Sequence, residues 1–244
     1  MKRLSPGLIL PLVVWLTLTS GPDFHQVPGL GGTPPVQAAA SRPAPRKLSP
    51  VELDQLLSRL EVEFGQIQTL WADFVQEKHL QIFTDVVRAQ GRCLFQSPDR
   101  VRFEITAPFQ SVLIVNAGTV SKYENVAGAW QPVDSGQQQL ILLIMDHITS
   151  WIQGRFREKK NFYDISAEQG DVYKIILVPK NEGFRKNLRA IEIVLTKGEK
   201  GIRQIILREP GQDFTVINFI TEKRNGTIPP ELFDPRRLNA PPGS

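Results

Sequence analysis

The chain has 244 residues, of which 41% are hydrophobic and 22% charged, which suits one large folded domain or two small ones. Its formal net charge of +4 is too small and too dispersed to indicate a nucleic-acid partner. A single cysteine, Cys93, excludes an internal disulfide and a cysteine-based zinc site.

The N-terminal region has the pattern of an export signal. Two basic residues precede an apolar run at 7–18, which is short for a membrane span. Small residues at 38–40 offer a late cleavage site, and the alternative is an uncleaved anchor followed by a proline-rich tether. We interpret residues 1–40 as a signal peptide with a long proline-rich flank and residues 41–48 as a disordered linker.

A first helix is predicted directly after this linker. Ser49 and Glu52 form a capping box, with Pro50 at the first helical position. Apolar residues then recur at helical spacing as far as Ile67. The sequence therefore predicts an amphipathic helix of about four turns that covers an apolar surface.

From Leu70 onward the apolar period changes to two, which indicates β-strands. Turns rich in glycine, proline and asparagine separate the strand-like segments, as in an antiparallel meander. About eleven strands are predicted, which makes a mainly β fold with some helix, and a sheet of that size should curl into a barrel or half-barrel. The segments are 70–77, 86–96, 100–107, 112–115, 120–124, a short piece near Trp130, 161–166, 172–178, 189–196, 202–209 and 213–223.

The segment 100–107 alternates strictly, with Val101, Phe103 and Ile105 on one face. This face could meet an ordinary core or line an apolar cavity. The register around the preceding turn leaves open whether Cys93 or its neighbour Leu94 shares the face of Phe103.

A second helix is predicted between the two groups of strands, at 140–152. Leu140, Ile144, Ile148 and Trp151 share one face, but the first turns are apolar almost all round. Such a helix needs two apolar neighbours. One would be the sheet, and the other could be a second helix, another protein or a ligand.

The sequence carries no recognisable catalytic motif. His79, His147 and Cys93 have no partner at catalytic or metal-ligand spacing, so we expect no enzyme activity, no metal and no cofactor. The basic run 155–160 is interpreted as a solvated loop, with contact to anionic lipid head groups or an acidic partner as the alternative.

Taken together, the order of these segments resembles the LolA family of periplasmic outer-membrane lipoprotein carriers, over about residues 49–235. No single motif is specific, and the resemblance depends on their joint order and spacing. The motifs are Leu70-Trp-Ala-Asp-Phe-Val-Gln-Glu77, Gly91, Ser97-Pro98-Asp99-Arg100-Val101-Arg102-Phe103, Pro108, Asn116-Ala117-Gly118, Leu177-Val178-Pro179-Lys180, Asp213-Phe-Thr-Val-Ile-Asn-Phe-Ile220, Asn225, Ile228, Pro229 and Phe233.

The resemblance implies an unclosed antiparallel β-barrel of about eleven strands with covering lid helices, in a domain spanning 49–235 before a disordered tail at 236–244. It implies a periplasmic, monomeric carrier that takes lipoproteins from an inner-membrane ABC transporter complex to an outer-membrane acceptor. The acyl chains would lie in an apolar cavity, for which the expected lining residues are Phe74, Val101, Phe103, Ile105 and Leu113. Helix 140–152 would be the lid.

One position departs from the family pattern. Carriers of the family commonly have an arginine directly before the proline of the turn, where it holds the lid, and this chain has Ser97. The same fold also serves carriers of other lipids and lipid-sensing regulatory proteins, so both remain alternatives to lipoprotein transport.

Overall fold

The computed structural model of the chain describes residues 44–82, 85–134, 136 and 138–239. The predicted signal peptide, residues 1–40, lies outside the described residues. Within those ranges, no helix combines the length and the apolar character needed to cross a bilayer.

Helix α1, Pro50–Phe64, begins at the predicted capping box. The Ser49 hydroxyl accepts from the backbone N–H of Glu52, and the Glu52 carboxylate accepts from the backbone N–H of Ser49. One face of α1 is buried, through Leu56, Leu57, Leu60 and Phe64. Ile67 is also buried but follows the end of the helix.

Twelve antiparallel strands of the described residues form one sheet. Its order is β1-β8-β9-β10-β11-β12-β2-β3-β4-β5-β6-β7, so β1 and β7 are the two edges and the barrel is open. This confirms the predicted fold class. The strands are β1 Arg46–Lys47, β2 Thr69–His79, β3 Val87–Gln96, β4 Arg100–Ala107, β5 Ser111–Asn116, β6 Thr119–Val126, β7 Ala129–Pro132, β8 Tyr163–Gln169, β9 Tyr173–Pro179, β10 Ala190–Leu195, β11 Ile202–Arg208 and β12 Phe214–Arg224.

Helix α2, Gln138–Ile152, joins the two halves of the sheet and corresponds to the predicted lid helix. It leads into a short 3₁₀ helix, Phe156–Lys159, and a one-turn helix α3, Glu182–Arg185, follows β9. Ile141 and Met145 of α2 are fully buried in the main core, together with the apolar face of α1. The two longer helices therefore cover the concave face of the sheet.

A second, smaller core lies on the opposite face of the sheet. It combines Leu94, Val112 and Ile114 with Ile228 and Phe233 from the segment after β12. The C-terminal segment thus covers the convex face, which no helix longer than one turn covers among the described residues.

Both predicted boundaries of the domain differ from the structure. Arg46–Lys47 pairs with β8 and Leu48 is buried, so the expected linker 41–48 is structured at its C-terminal end. At the other end, the amide of Asn239 exchanges two hydrogen bonds with the backbone of Trp130, at 3.0 and 2.9 Å. The expected tail, 236–244, is therefore folded onto the sheet at least to Asn239. Neither contact is visible in local composition, because each partner lies about a hundred residues away along the chain.

Candidate functional site: an apolar cavity beneath helix α2

A cavity of about 140 Å³ lies between α2 and the concave face of the sheet. One water molecule needs about 10–15 Å³ on this scale, so the space corresponds to roughly ten water molecules. Its walls come from β2, β3, β4, β10, β11 and β12, from the end of α1 and from α2 itself. Most of the lining side chains are aliphatic or aromatic, as expected of a site for an apolar ligand.

The predicted strand face points to this cavity. Val101 and Phe103 line it. Phe74, which was also expected to line it, is instead buried in the core and stacks on Phe103 with ring centroids 4.8 Å apart. Ile105 and Leu113 lie on the same face but are buried in the core beyond the cavity wall. The sequence thus identified the face, whereas the depth of each side chain depends on how the sheet curls.

The register left open by the sequence is settled by the β3–β4 pairing. Cys93 pairs with Phe103 and also lines the cavity, whereas Leu94 pairs with Arg102 and lies in the second core. Burial raises the pKa of the Cys93 thiol to about 12, so the group is protonated near neutral pH.

Three of the four residues proposed for the lid line the cavity, namely Ile144, Ile148 and Trp151. Leu140 lies in the first turn of α2, and its side chain is outside the described part of the helix. The sequence missed that Phe184 and Leu188, from the connection between β9 and β10, also line the cavity. That connection shows no long apolar run that would have indicated it.

The C-terminal end of α2 is held directly against α1. Gly154 has a φ of 72°, and a Cβ at this position would lie 2.3 Å from the carbonyl oxygen of Leu60 in α1. Only glycine allows both this left-handed conformation and this close approach. The turn after the lid helix therefore packs backbone to backbone on the first helix.

The basic run 155–160 is engaged in ion pairs within the chain. Arg157 pairs with Asp54 and Glu61 of α1, each at 3.1 Å, and its guanidinium also donates to the Ser58 hydroxyl. Lys159, which is buried, pairs with Asp146 of α2 at 2.6 Å. The expected solvated loop is thus a bridge between the two helices.

At the position of the family's lid arginine, the backbone N–H of Ser97 donates to the carbonyl of Gln68 at 2.8 Å. This bond ties the β3–β4 turn to the segment after α1 and not to the lid helix. This hydrogen bond of Ser97 therefore does not hold the lid helix, which is the role of the arginine at this position in the family. Arg100, the arginine nearest to Ser97 along the chain, has its guanidinium 3.5 Å from the Gln96 side chain.

A charged pair that the sequence did not predict lies at the cavity wall. Glu222 and Arg224 of β12 both line the cavity and pair with each other, and the Arg224 guanidinium carbon is 5.1 Å from the ring centre of Phe64. The register of β12 shifts between Phe219 and Thr221, and this bulge brings even-numbered residues onto the concave face. Strict alternation would have assigned both charges to the outside.

Two buried ring nitrogens of α2 have no hydrogen-bond partner among the described residues. They are Nε2 of His147 and Nε1 of Trp151, and both residues line the cavity. The other ring nitrogen of His147, Nδ1, is 2.8 Å from the hydroxyl of Tyr163. Burial, reinforced by the nearby charge of Lys159, lowers the pKa of His147 to about 4, so the ring is neutral near neutral pH.

Within the described ranges, no group of three or more histidine, cysteine, aspartate and glutamate side chains is placed to hold a metal ion. The cavity contributes binding surface, with a few polar groups at its wall.

The chain resembles known proteins over most of this domain. The family model described as outer membrane lipoprotein carrier protein LolA matches residues 65–236. An outer-membrane lipoprotein carrier protein of Serratia proteamaculans is 21% identical over 139 residues, which are 54% of this chain and 68% of that protein. A second such carrier protein, from Yersinia enterocolitica, is 21% identical over 141 residues, or 55% of this chain and 70% of its own.

Among solved structures, a LolA superfamily protein from Nitrosomonas europaea is similar with a TM-score of 0.43 and 9% identity. The similarity covers 76% of this chain and 99% of that one.

Proposed function

This chain belongs to the LolA family of outer membrane lipoprotein carrier proteins, and from that membership we propose that it is a periplasmic carrier of lipoproteins. In this proposal the acyl chains of the cargo lie in the cavity beneath α2, and the protein carries them from the inner to the outer membrane. An inner-membrane ABC transporter complex would supply the cargo and an outer-membrane acceptor would receive it. The carrier itself catalyses no reaction.

The observation that carries the proposal is an apolar cavity whose roof is one helix. Ile144, Ile148 and Trp151 of α2 face the same space as Val101 and Phe103 of the sheet. The roof is fastened to α1 at its C-terminal end through Gly154 and Arg157.

The energetics of an acyl chain explain why such a cavity is needed. Transfer of a methylene group from water to an apolar site gains about 0.8 kcal/mol. A chain of about fourteen carbons therefore costs on the order of 10 kcal/mol when exposed to water. Delivery needs no energy source on the carrier if the acceptor offers the chains a better apolar site.

Mass spectrometry of the full chain, purified from the envelope of its own host without detergent exchange, tests the proposal. We expect co-purified lipoprotein. Phospholipid or another lipid in its place would redirect the proposal to a carrier of that lipid or to a lipid-sensing regulator. A cavity without any lipid, in protein that also fails to take up lipoprotein in vitro, would contradict the carrier function.

Periplasmic location is tested separately by cell fractionation and N-terminal sequencing of the mature protein. We expect the protein in the periplasmic fraction, beginning after residue 38 or 40. A chain that stays with the inner membrane at full length would support the uncleaved anchor instead.

A further inference from the structure

We propose that Trp151 and His147 form a docking site for an acyl carbonyl oxygen, so that the cavity recognises the linkage at which an acyl chain is attached as well as its hydrocarbon. This inference rests on the proposed function, since it concerns the cargo of the same cavity. The ligand chemistry is an ester- or amide-linked acyl chain.

Two buried side chains of the cavity wall each carry a nitrogen without a hydrogen-bond partner among the described residues. Trp151 and His147 are 5% and 4% exposed, and both line the cavity. Nε1 of Trp151 can only donate, and it has no acceptor among the described residues. A buried polar group without a partner destabilises the protein, and a ligand recovers that cost by supplying the missing acceptor.

The tautomer of His147 depends on its contact with Tyr163. Its Nδ1 lies 2.8 Å from the hydroxyl of Tyr163, which is itself buried. If the Tyr163 hydroxyl donates to Nδ1, the buried hydroxyl proton has an acceptor and the imidazole proton resides on Nε2. Nε2 of His147 then becomes a second donor without a partner at the cavity.

The two side chains that carry the donors are neighbours on α2. Residues 147 and 151 are four apart on α2, so they lie on the same helical face, and their ring centroids are 6.3 Å apart. The surrounding lining, including Ile144, Ile148 and Tyr163, is mostly apolar. Both nitrogens have almost no accessible surface, so a carbonyl reaches them only when the side chains that cover them move aside. Two N–H donors on one helical face then suit an acceptor-only group attached to a hydrocarbon chain.

The charge state of the two donors determines which acceptor they suit. The pKa of His147 is lowered to about 4, mainly by burial, so both donors are neutral at neutral pH. A neutral carbonyl matches them, whereas a carboxylate would bring a charge to two neutral donors. The cation at the cavity wall, Arg224, is already paired with Glu222. The site is therefore expected to favour acyl esters and amides over free fatty acids.

The test uses two lipids that differ only in the carbonyl group, methyl laurate and dodecyl methyl ether, with binding measured by displacement of a fluorescent hydrophobic dye. A net hydrogen bond of ordinary strength corresponds to roughly 2- to 12-fold in affinity. The ester carbonyl can accept from both donors, and the effects of the two hydrogen bonds multiply. Wild-type protein should therefore bind the ester about 5- to 150-fold more tightly than the ether.

The variant Trp151→Phe removes one donor and keeps an aromatic ring. It should reduce the ester-to-ether ratio about 2- to 12-fold. The smaller ring weakens the apolar contact of both lipids alike, so the ratio of the two affinities is the readout. The double variant His147→Phe/Tyr163→Phe removes the other donor together with its partner, and it should have a similar effect. Trp130→Phe makes the same chemical change against the second core, and its ratio should equal that of wild type.

Each outcome separates this inference from the proposed function. Equal binding of ester and ether by wild type, or an unchanged ratio in Trp151→Phe, overturns the carbonyl site while the cavity remains a lipid site. Failure of both lipids to bind overturns the proposed function and this inference with it. Repeating the comparison with a diacylglyceryl-cysteine lipopeptide and with a dilauroyl phospholipid shows which source of acyl carbonyl depends on Trp151.

Discussion

The guanidinium of Arg157 lies 3.1 Å from Oε2 of Glu61, and this ion pair joins the segment after the lid helix to the first helix. The same guanidinium donates to the backbone carbonyl of Asp54 at 2.7 Å. Arg157 also pairs with the carboxylate of Asp54. All three side chains are partly exposed, so the two ion pairs stabilise the protein only modestly. Their position matters more than their strength, because they fasten the end of the helix that roofs the cavity.

The first prediction is that Arg157→Leu loosens this roof. Loss of the contacts to α1 should reduce the free energy of unfolding by about 1 kcal/mol and raise the population of opened cavity about fivefold. Reaction of the single cysteine, Cys93, with a small thiol reagent measures the opening, since Cys93 lines the cavity.

Arg88→Leu is the matched control, because Arg88 pairs with Glu77 on the sheet, at a similar distance of 2.9 Å. Its rate of Cys93 modification should equal that of wild type. Equal acceleration in both variants would show that Arg157 has no special role in holding the lid.

The second prediction concerns Gly154. Substitution by alanine imposes a positive φ of 72° on a residue with a Cβ and places that Cβ 2.3 Å from the Leu60 carbonyl oxygen. The conformation alone costs about 1–2 kcal/mol, and the clash adds to it, so we expect a loss of about 3 kcal/mol or more in urea unfolding.

Gly118 separates the two effects. It has a φ of 75°, but a Cβ there would meet nothing within 4 Å. Gly118→Ala should therefore lose only about 1–2 kcal/mol. Equal losses at both positions would mean that the close packing of the turn on α1 contributes nothing.

The third prediction tests the sheet wall of the cavity. Phe103 is half-buried, lines the cavity and stacks on Phe74. Phe103→Ala should weaken lipid binding about tenfold through lost apolar contact, and Phe103→Glu should abolish it by placing a carboxylate in an apolar space. Dye displacement measures binding, and circular dichroism checks the fold.

Phe109→Glu is the control, since Phe109 is 36% exposed and is not part of the cavity wall. It should bind lipid as wild type does. Unchanged binding in folded Phe103→Glu would show that lipid occupies some other surface.

The elements of this fold could be predicted because their signals are local. The capping box at Ser49, the period-two strands and the apolar helix at 140–152 each depend on residues within a few positions of one another. The number and order of these elements predicted a sheet that curls into a barrel or half-barrel, and the resemblance to the LolA family implied that the barrel is open. Val101 and Phe103 were assigned to the correct face because the side-chain alternation of a strand leaves few choices.

The site features that the sequence did not predict depend on long-range geometry. Arg157 pairs with Glu61, which lies 96 positions earlier in the chain. The basic run 155–160, which was expected to be a solvated loop, therefore connects the segment after α2 to α1. The bulge in β12 reverses the alternation and brings Glu222 and Arg224 to the cavity. An ion pair between residues far apart in the chain produces no local sequence pattern. The same holds for one extra residue in a strand, which the hydrophobic alternation does not reveal.

The fourth prediction uses the raised pKa of Cys93. The thiol is ordinarily half-ionised at about pH 8.5, but burial moves its pKa to about 12. The protonated form is the one favoured by the fold, so this contribution to stability is complete below about pH 8.5 and is lost as the pH rises toward 12. Alkaline unfolding should therefore be less steep in Cys93→Ala than in wild type.

The pH dependence of thiol modification is an independent measure of the pKa of Cys93. In the folded protein the rate of Cys93 modification should keep rising well above pH 9, because the thiolate is the reactive form. Bound lipid should slow it further at every pH. A rate that levels off near pH 9 would show that Cys93 is exposed in the folded protein.

The last prediction concerns acid pH and His147. Burial, together with the charge of Lys159, lowers the pKa of His147 to about 4, while Asp146 acts in the opposite direction more weakly. The pKa of an unfolded histidine is about 6.5, so the unfolded chain binds more protons between these values. The contribution of neutral His147 to stability is therefore present above about pH 6.5 and lost as the pH falls toward 4.

His147→Asn separates this effect from the other groups that titrate in acid, because asparagine does not titrate and its carbonyl can still accept from Tyr163. The free energy of urea unfolding should fall more steeply for wild type than for the variant between pH 6.5 and 4. His79→Asn, a change on β2 outside the cavity wall, should follow the wild-type slope. Parallel curves for wild type and His147→Asn would show that the imidazole is not held neutral, and the carbonyl site would then lose its second neutral donor.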